Sequence, residues 1–400
     1  MDMRKRPRPL FAGPPSIVWD EDYYLAVYPC VRGYLKEFPQ RTDVYKDFRS
    51  ARYFLSYHSR TPGTYGNYRG FIERLLLWSW IFLDKSVLNL TRQDFSDFVN
   101  FCKKPSSDWV GDVPRARFIS NIDVWSYNPD WRPLDARSQA RTLSPEGEFD
   151  PAGYRPFTGT LRQLLSICSS FYNFLHREGL AAANPAVAAR TRNGLALHFE
   201  HPVRNVVSAE HAGLILNQLE LDAEISPDGE RALFIVAAAL YLYLRTSDLA
   251  LNNNIAPSMD AFRFEQGNWL FVLDSRSPRV RVSVGDSFLR YLTRYRVSRG
   301  LSPLPEACEQ TPILETAHGR PGLTDRRIRQ IVKEALAKVH IDLQRKGYDE
   351  MDLEVLKSVS LRWFRASGAK QSAGSRSPQE LQSDLGSVSL SYVYGRYYAE

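Results

Sequence analysis

Four hundred residues are more than one hydrophobic core usually organises, which points to two domains. A net charge of +7 and a pI near 9.1 lean towards a polyanionic partner, while the apolar and charged fractions, 44% and 24%, are those of an ordinary globular chain. The longest apolar run, 232–244, is well short of the ~20 residues a membrane-spanning helix needs. The basic start of the chain (Arg4, Lys5, Arg6, Arg8) has no apolar stretch of the secretory kind. We therefore expect no membrane association and a cytoplasmic location. Cys30, Cys102, Cys168 and Cys308 are widely spaced and form no C-x-x-C pair, so the expectation is free thiols in a reducing compartment, not disulfides or a zinc site.

Residues 1–60 are aromatic and basic with weak periodicity and read as an N-terminal arm carrying one or two short helices. A helical domain is expected over 61–186. It opens at Thr61-Pro62, and Tyr68, Phe71, Ile72, Leu75 and Leu76 recur at helical spacing on one face. Thr91 with Asp94 makes a capping box ahead of the stripe Phe95, Phe98, Val99 and Cys102. Residues 104–157 interrupt the pattern with many prolines and with Trp109, Trp125 and Trp131, and read as a long insertion over the domain surface. The clearest helix spans 158–178, with Leu161, Leu164, Leu165, Cys168, Phe171, Tyr172 and Leu175 on one stripe and Gly179 as its stop.

A basic linker, 187–207, carries Arg190, Arg192 and Arg204. The second domain then runs over 208–400. Ser208 caps a helix through Leu219, and 230–249 is apolar on all sides, with Arg245 near its end. Two β-branched runs, 269–273 and 280–284, flank a Ser/Arg/Pro turn and read as a hairpin carrying Arg276 and Arg279. Thr324 caps a helix over 325–339 that turns Arg326, Arg327 and Arg329 outward. A Lys/Asp-rich loop leads to a helix bearing Arg362 and a final helical segment. The fold class is mainly α with a small antiparallel sheet. Phosphate loops, dinucleotide fingerprints and metal-ligand clusters do not occur in the sequence, and no cofactor is expected.

The chain ends on Tyr392, Tyr394, Tyr397 and Tyr398, four tyrosines in seven residues. A phenol with a pKa near ~10 is a poor nucleophile until cations hold an electrophile before it and stabilise the charge that builds there. Arg245 and Arg362, on separate helices, are the candidates for that task.

This order of signals resembles the tyrosine recombinase (phage integrase) family over residues 60–400, the insertion apart. Leu244-Arg245-Thr246-Ser247-Asp248-Leu249 is similar to its first arginine motif, Leu361-Arg362 to the arginine of its His-x-Leu-Arg motif, and Leu385-Gly386-Ser387 to its Leu-Gly-His segment. The resemblance implies a helical core-binding domain followed by a catalytic domain. The two would grip double-stranded DNA from opposite faces, with the 190–204 arginines running along its phosphates. It further implies that two arginines clamp one phosphodiester while tyrosine attacks the phosphorus, leaving a 3′-phosphotyrosine and a free 5′-hydroxyl. Tyr397 is the expected nucleophile, with Tyr398 and Tyr394 as alternatives. Arg190, Arg192, Arg204, Arg279, Arg326 and Arg327 are the expected DNA contacts.

Three of the family's residues are replaced. Val359 stands where Arg362 would have its motif His, Ser387 follows Leu-Gly, and the hairpin turn carries Arg276 in place of Lys. Arginine rarely yields a proton, so either Arg276 or another residue, Lys338 among them, takes that role, or the step goes unassisted. Two readings follow. One is a DNA-breaking and -joining enzyme that serves a mobile element and assembles as a tetramer on DNA. The other is a DNA-binding pseudo-recombinase that co-assembles with an active relative.

Overall fold

The computed structural model describes residues 6–121, 124–136, 151–187, 206–252, 254–274, 279–387 and 389–398. They form two compact units, divided between His198 and Phe199. Arg190, Arg192, Arg204 and Arg276 lie outside the described residues. Among the described residues, no helix is long and apolar enough to cross a membrane.

The first unit is a helical bundle. Helices α1 (Pro14–Ile17), α2 (Glu21–Val27), α3 (Pro29–Lys36) and α4 (Val44–Ser56) precede α5 (Pro62–Leu83), α6 (Arg92–Lys103) and α7 (Thr158–Arg177). The expected arm is thus four helices built into the core: Phe11, Tyr24, Val31 and Phe48 are fully buried beside Leu75 and Trp80. Short range periodicity missed this because buried polar groups do much of the fastening. Glu73, almost wholly buried, accepts the backbone N–H of Leu10 at 2.7 Å and of Phe11 at 3.2 Å, and pairs with Arg117. Asp47, fully buried, accepts from Trp80 Nε1 at 2.8 Å, Ser86 Oγ at 2.6 Å and Val87 N at 2.9 Å. Each of these donors has no other route to satisfaction in an apolar core.

Helix α6 carries the Thr91/Asp94 capping box, and the stripe of α7 is buried along its whole length. Gly179, at φ 68°, takes the left-handed turn that stops α7. Where it is described, the 104–157 segment packs on the helical bundle. Trp109 and Trp131 are buried, β1 (Val110–Gly111) pairs in parallel with β4 (Leu134–Asp135), and β2 (Phe118–Asn121) pairs with β3 (Val124–Tyr127). Cys102 and Cys168 are buried free thiols, Cys30 is half-buried and Cys308 exposed.

In the second unit, α8 (Ala209–Ile225) packs on α9 (Pro227–Tyr241), whose residues 232–240 are all buried. Each large apolar side chain enclosed this way contributes about 1.5–3 kcal/mol. The central helix ends at Tyr241, before Arg245: Tyr243 turns the chain at φ 53°, and Arg245 becomes the N-cap of the short helix α10 (Thr246–Leu249). A β-sheet follows with order β5 (Phe262–Glu265), β6 (Asn268–Leu273), β7 (Val280–Ser283), all antiparallel; β5 is an added strand beside the expected hairpin. Then come α11 (Asp286–Ser298), α12 (Asp325–Arg345), α13 (Glu350–Ser358), α14 (Leu361–Ser372), α15 (Pro378–Asp384) and α16 (Leu390–Val393), ending in a π-turn, Tyr394–Tyr398. The Lys/Asp-rich stretch is therefore mostly helical, with Asp349 capping α13.

Gly368 brings α14 against the end of α9. A Cβ there would lie 1.7 Å from Leu240 O, a backbone atom with no room to yield. Gly368→Ala is expected to cost about 3 kcal/mol or more, read as a fall in the thermal midpoint. Asp47→Ala strands three buried donors, so a loss of about 3 kcal/mol or more is expected in urea unfolding; an unchanged midpoint would contradict the network's role.

Candidate active site

The turn at Tyr243 aims Arg245 into a cavity of about 980 Å³ in the second unit. Helix α10 contributes Thr246 and Ser247, α12 contributes Arg329, Val332, Lys333, Leu336 and His340, and the α13–α14 segment contributes Leu356, Val359, Arg362 and Arg365. The floor is aliphatic and the cations gather around it. Arg245 Nη1 is buried without a hydrogen-bond partner. Such a donor costs free energy unless a ligand satisfies it.

Arg365 is held differently. Its Nε donates to Tyr243 O at 2.6 Å and its Nη2 to Leu385 O at 3.0 Å. Burial pushes its guanidinium down to about 10, and the neighbouring Arg245 charge pushes the same way, while Tyr397 and Asp248 oppose it. Asp248 is the acid of this cluster. Burial raises its carboxyl, and Arg245 and Arg365 draw it back down; its Oδ2 accepts Arg245 N at 2.7 Å. Two arginines thus sit within mutual electrostatic reach at one wall of the cavity.

Arg362 lines the same cavity but is exposed, one turn earlier on α14. Sequence reading did not single out Arg365, which the structure places on the cavity beside Arg362. The signal was helical: Leu361, Phe364 and Gly368 mark the packed face of α14, which Arg365 shares and Arg362 does not.

The terminal tyrosines differ sharply. Tyr397 is 4% exposed, and Lys370 Nζ donates to its carbonyl at 3.0 Å. Its hydroxyl makes no hydrogen bond among the described residues, and it lies close enough to Arg365 to bias that group's ionisation. Tyr398 instead donates its hydroxyl to Arg376 O at 2.6 Å. Tyr394 is 57% exposed and stacks on Tyr398. Leu385-Gly386 forms the turn beneath Arg365, with Gly386 at φ 54°, and Ser387 spends its hydroxyl on Ser389 O at 3.4 Å.

Of the outlying candidates, Arg279 pairs with Asp274 at 2.5 Å and Arg327 with Glu334 at 3.8 Å, while Arg326 is exposed. Lys338 is bound to Asp222 at 2.8 Å. No three His, Cys, Asp or Glu among the described residues gather as a metal site.

No family model matches the sequence, and no curated protein matches it. Solved structures do. The XerH site-specific recombinase bound to palindromic difH substrate, in its post-cleavage complex, superposes with a TM-score of 0.51 at 10% identity, over 98% of this chain and 96% of that one. The Tn1549 transposon integrase with transposon right-end DNA matches at 0.48 and 11% identity, over 82% and 88%. A lambda integrase dimer on a COC′ core site matches at 0.47 and 12%, over 87% and 76%. The first of these likenesses runs almost end to end, over both the helical bundle and the unit that holds the arginine pair, and it gives this chain the fold of the tyrosine recombinases.

Proposed function

We propose that this protein cuts and rejoins double-stranded DNA through a 3′-phosphotyrosine, in the integration or excision of a mobile element. One observation carries the reading: Arg245 and Arg365 converge on one cavity, with a buried Arg245 donor left open and the unbonded Tyr397 hydroxyl nearby. Paired guanidiniums match the geometry of a phosphodiester's non-bridging oxygens. Their charge counts most when a further negative charge builds at phosphorus.

In this reading Tyr397 attacks the phosphorus in line with the 5′-oxygen, and Arg245 and Arg365 hold the two non-bridging oxygens. Arg365 takes the place first given to Arg362. The same three-residue spacing then sets Arg362 at the position of the motif His, so that residue is replaced by a cation on the cavity rim. Tyr398 and Tyr394 support the turn that presents Tyr397. Arg326 and Arg362, exposed and without partners among the described residues, contact the DNA backbone, and several copies assemble on one DNA.

The first test mixes the purified chain with supercoiled DNA carrying its own genomic flanks, denatures it and resolves covalent adducts. A protein–DNA adduct lost in Tyr397→Phe is the expected result; one that survives moves the nucleophile to Tyr398 or Tyr394. A gel shift without any adduct leaves a DNA-binding accessory protein.

The clamp has its own test. Arg245→Ala and Arg365→Ala are each expected to slow adduct formation by about 10²–10³-fold. Arg362→Ala should instead weaken binding and reduce the slope of log K against log salt by about 0.9. A full rate in Arg365→Ala, with a large loss in Arg362→Ala, would return Arg362 to the clamp.

A further inference from the structure

Breaking the phosphodiester leaves a 5′-oxygen that departs poorly unless a proton reaches it. This inference rests on the reading above and asks which group supplies that proton. Lysine suits the task because its ammonium gives up a proton far more readily than a guanidinium does. The second unit contains five lysines, Lys333, Lys338, Lys346, Lys357 and Lys370, and all are among the described residues. Four are engaged. Lys338 pairs with Asp222 at 2.8 Å, Lys346 donates to Gln218 Oε1 at 2.7 Å, Lys357 pairs with Glu354 at 3.2 Å, and Lys370 holds the Tyr397 carbonyl.

Lys333 is the exception. Among the described residues it has neither an ion pair nor a hydrogen bond, and it lines the same cavity as Arg245, Arg362 and Arg365. Its place on α12 follows from the helix period. Ile328, Ile331, Val332 and Val339 are buried, which turns Lys333 outward at the edge of the stripe, one turn from Arg329. Arg329 is occupied by Asp325 at 2.7 Å. The cavity's histidine, His340, has an unpartnered Nε2, but that nitrogen is sealed from solvent. A duplex phosphate arrives from the solvent side and meets the exposed ammonium first.

From this arrangement we infer that Lys333, on helix α12 and not on the hairpin, is the general acid that protonates the departing 5′-oxygen. The step balances. Tyr397 Oη forms its bond to phosphorus as the P–O5′ bond breaks. The 5′-oxygen keeps that electron pair and takes the Lys333 proton to become a 5′-hydroxyl. The phenolic proton passes to water, and Lys333 is left as the neutral amine. In rejoining, that amine takes the 5′-hydroxyl proton back and becomes the ammonium again, while the released Tyr397 phenolate recovers a proton from water.

The test replaces the bridging 5′-oxygen at the mapped cleavage position with sulfur, since a thiolate leaves without a proton. With ordinary DNA, Lys333→Met and Lys333→Arg are both expected to form adduct about 10²–10⁴-fold more slowly than the parent chain. With the sulfur-bridged DNA both should return to within a few-fold of it, while Arg365→Ala stays slow. A Lys333→Arg chain that is fast on ordinary DNA would reduce Lys333 to a charge that binds phosphate and overturn the assignment. Rescue by sulfur in His340→Gln, with Lys333→Met unaffected on either DNA, would transfer the role to His340. If the parent chain forms no adduct on either DNA, the enzymatic reading itself fails, and this inference with it.

Discussion

The second unit turns on one buried guanidinium. Arg365 donates to the carbonyl that follows the central helix, Tyr243 O, and to the carbonyl of the Leu-Gly turn, Leu385 O. Three segments far apart in sequence are fastened by one side chain that has no neutral form near physiological pH. The arrangement is expensive, because Arg245 stands beside it. Like charges within reach of each other repel more strongly at the lower effective dielectric of a protein than they do in water. Asp248 offsets part of that, yet its own burial raises its carboxyl and weakens the compensation. The unit thus keeps two cations together, with one Arg245 donor unsatisfied among the described residues, and this is the feature on which the proposed phosphate clamp rests.

Much of this was legible in the sequence, for physical reasons that vary by element. The Thr91/Asp94 box, the stripe of Leu161 through Leu175 and the Thr324 cap are local patterns, and each is formed as read. The hairpin runs 269–273 and 280–284 also pair, because β-branched residues flanking a turn leave few alternatives. What escaped was non-local. Residues 6–56 look like an aromatic arm until Glu73, from another part of the chain, accepts the backbone of Leu10 and Phe11, and Asp47, within the arm, accepts from Trp80, Ser86 and Val87. Tyr243 at positive φ could not be foreseen, since bulky residues seldom adopt it, and that one turn moves Arg245 from a helix end to a cap aimed at the cavity. Arg362 drew attention through the motif-like Leu361 before it; the packed face of α14 belongs to Arg365.

Gly368 shows how closely the clamp depends on packing. Helix α14 can approach the end of α9 only because residue 368 has no side chain. That approach sets Arg365 within 2.6 Å of Tyr243 O, three residues earlier on the same helix. Ser367 extends the same face by accepting Val207 N at 2.7 Å, which ties down the entry to α8. A small-residue patch, Ala366-Ser367-Gly368-Ala369, thus does for the site what a large core residue does elsewhere: it fixes a distance.

The proposed nucleophile meets two opposed demands. It must be placed to within a fraction of an ångström of the reacting phosphorus, and yet a covalent bond must later form and break at its tip. The turn over 394–398 fits that proposal by spending its fastenings on everything except the Tyr397 hydroxyl. Lys370 grips the Tyr397 backbone, Tyr398 bonds to Arg376 O, and Arg376 in turn pairs with Asp384 at the end of α15. The Tyr397 ring is packed into the core of the unit while its hydroxyl makes no hydrogen bond among the described residues. Tyr398, by contrast, spends its hydroxyl on Arg376 O, so its use as a nucleophile would release one of the fastenings of the turn.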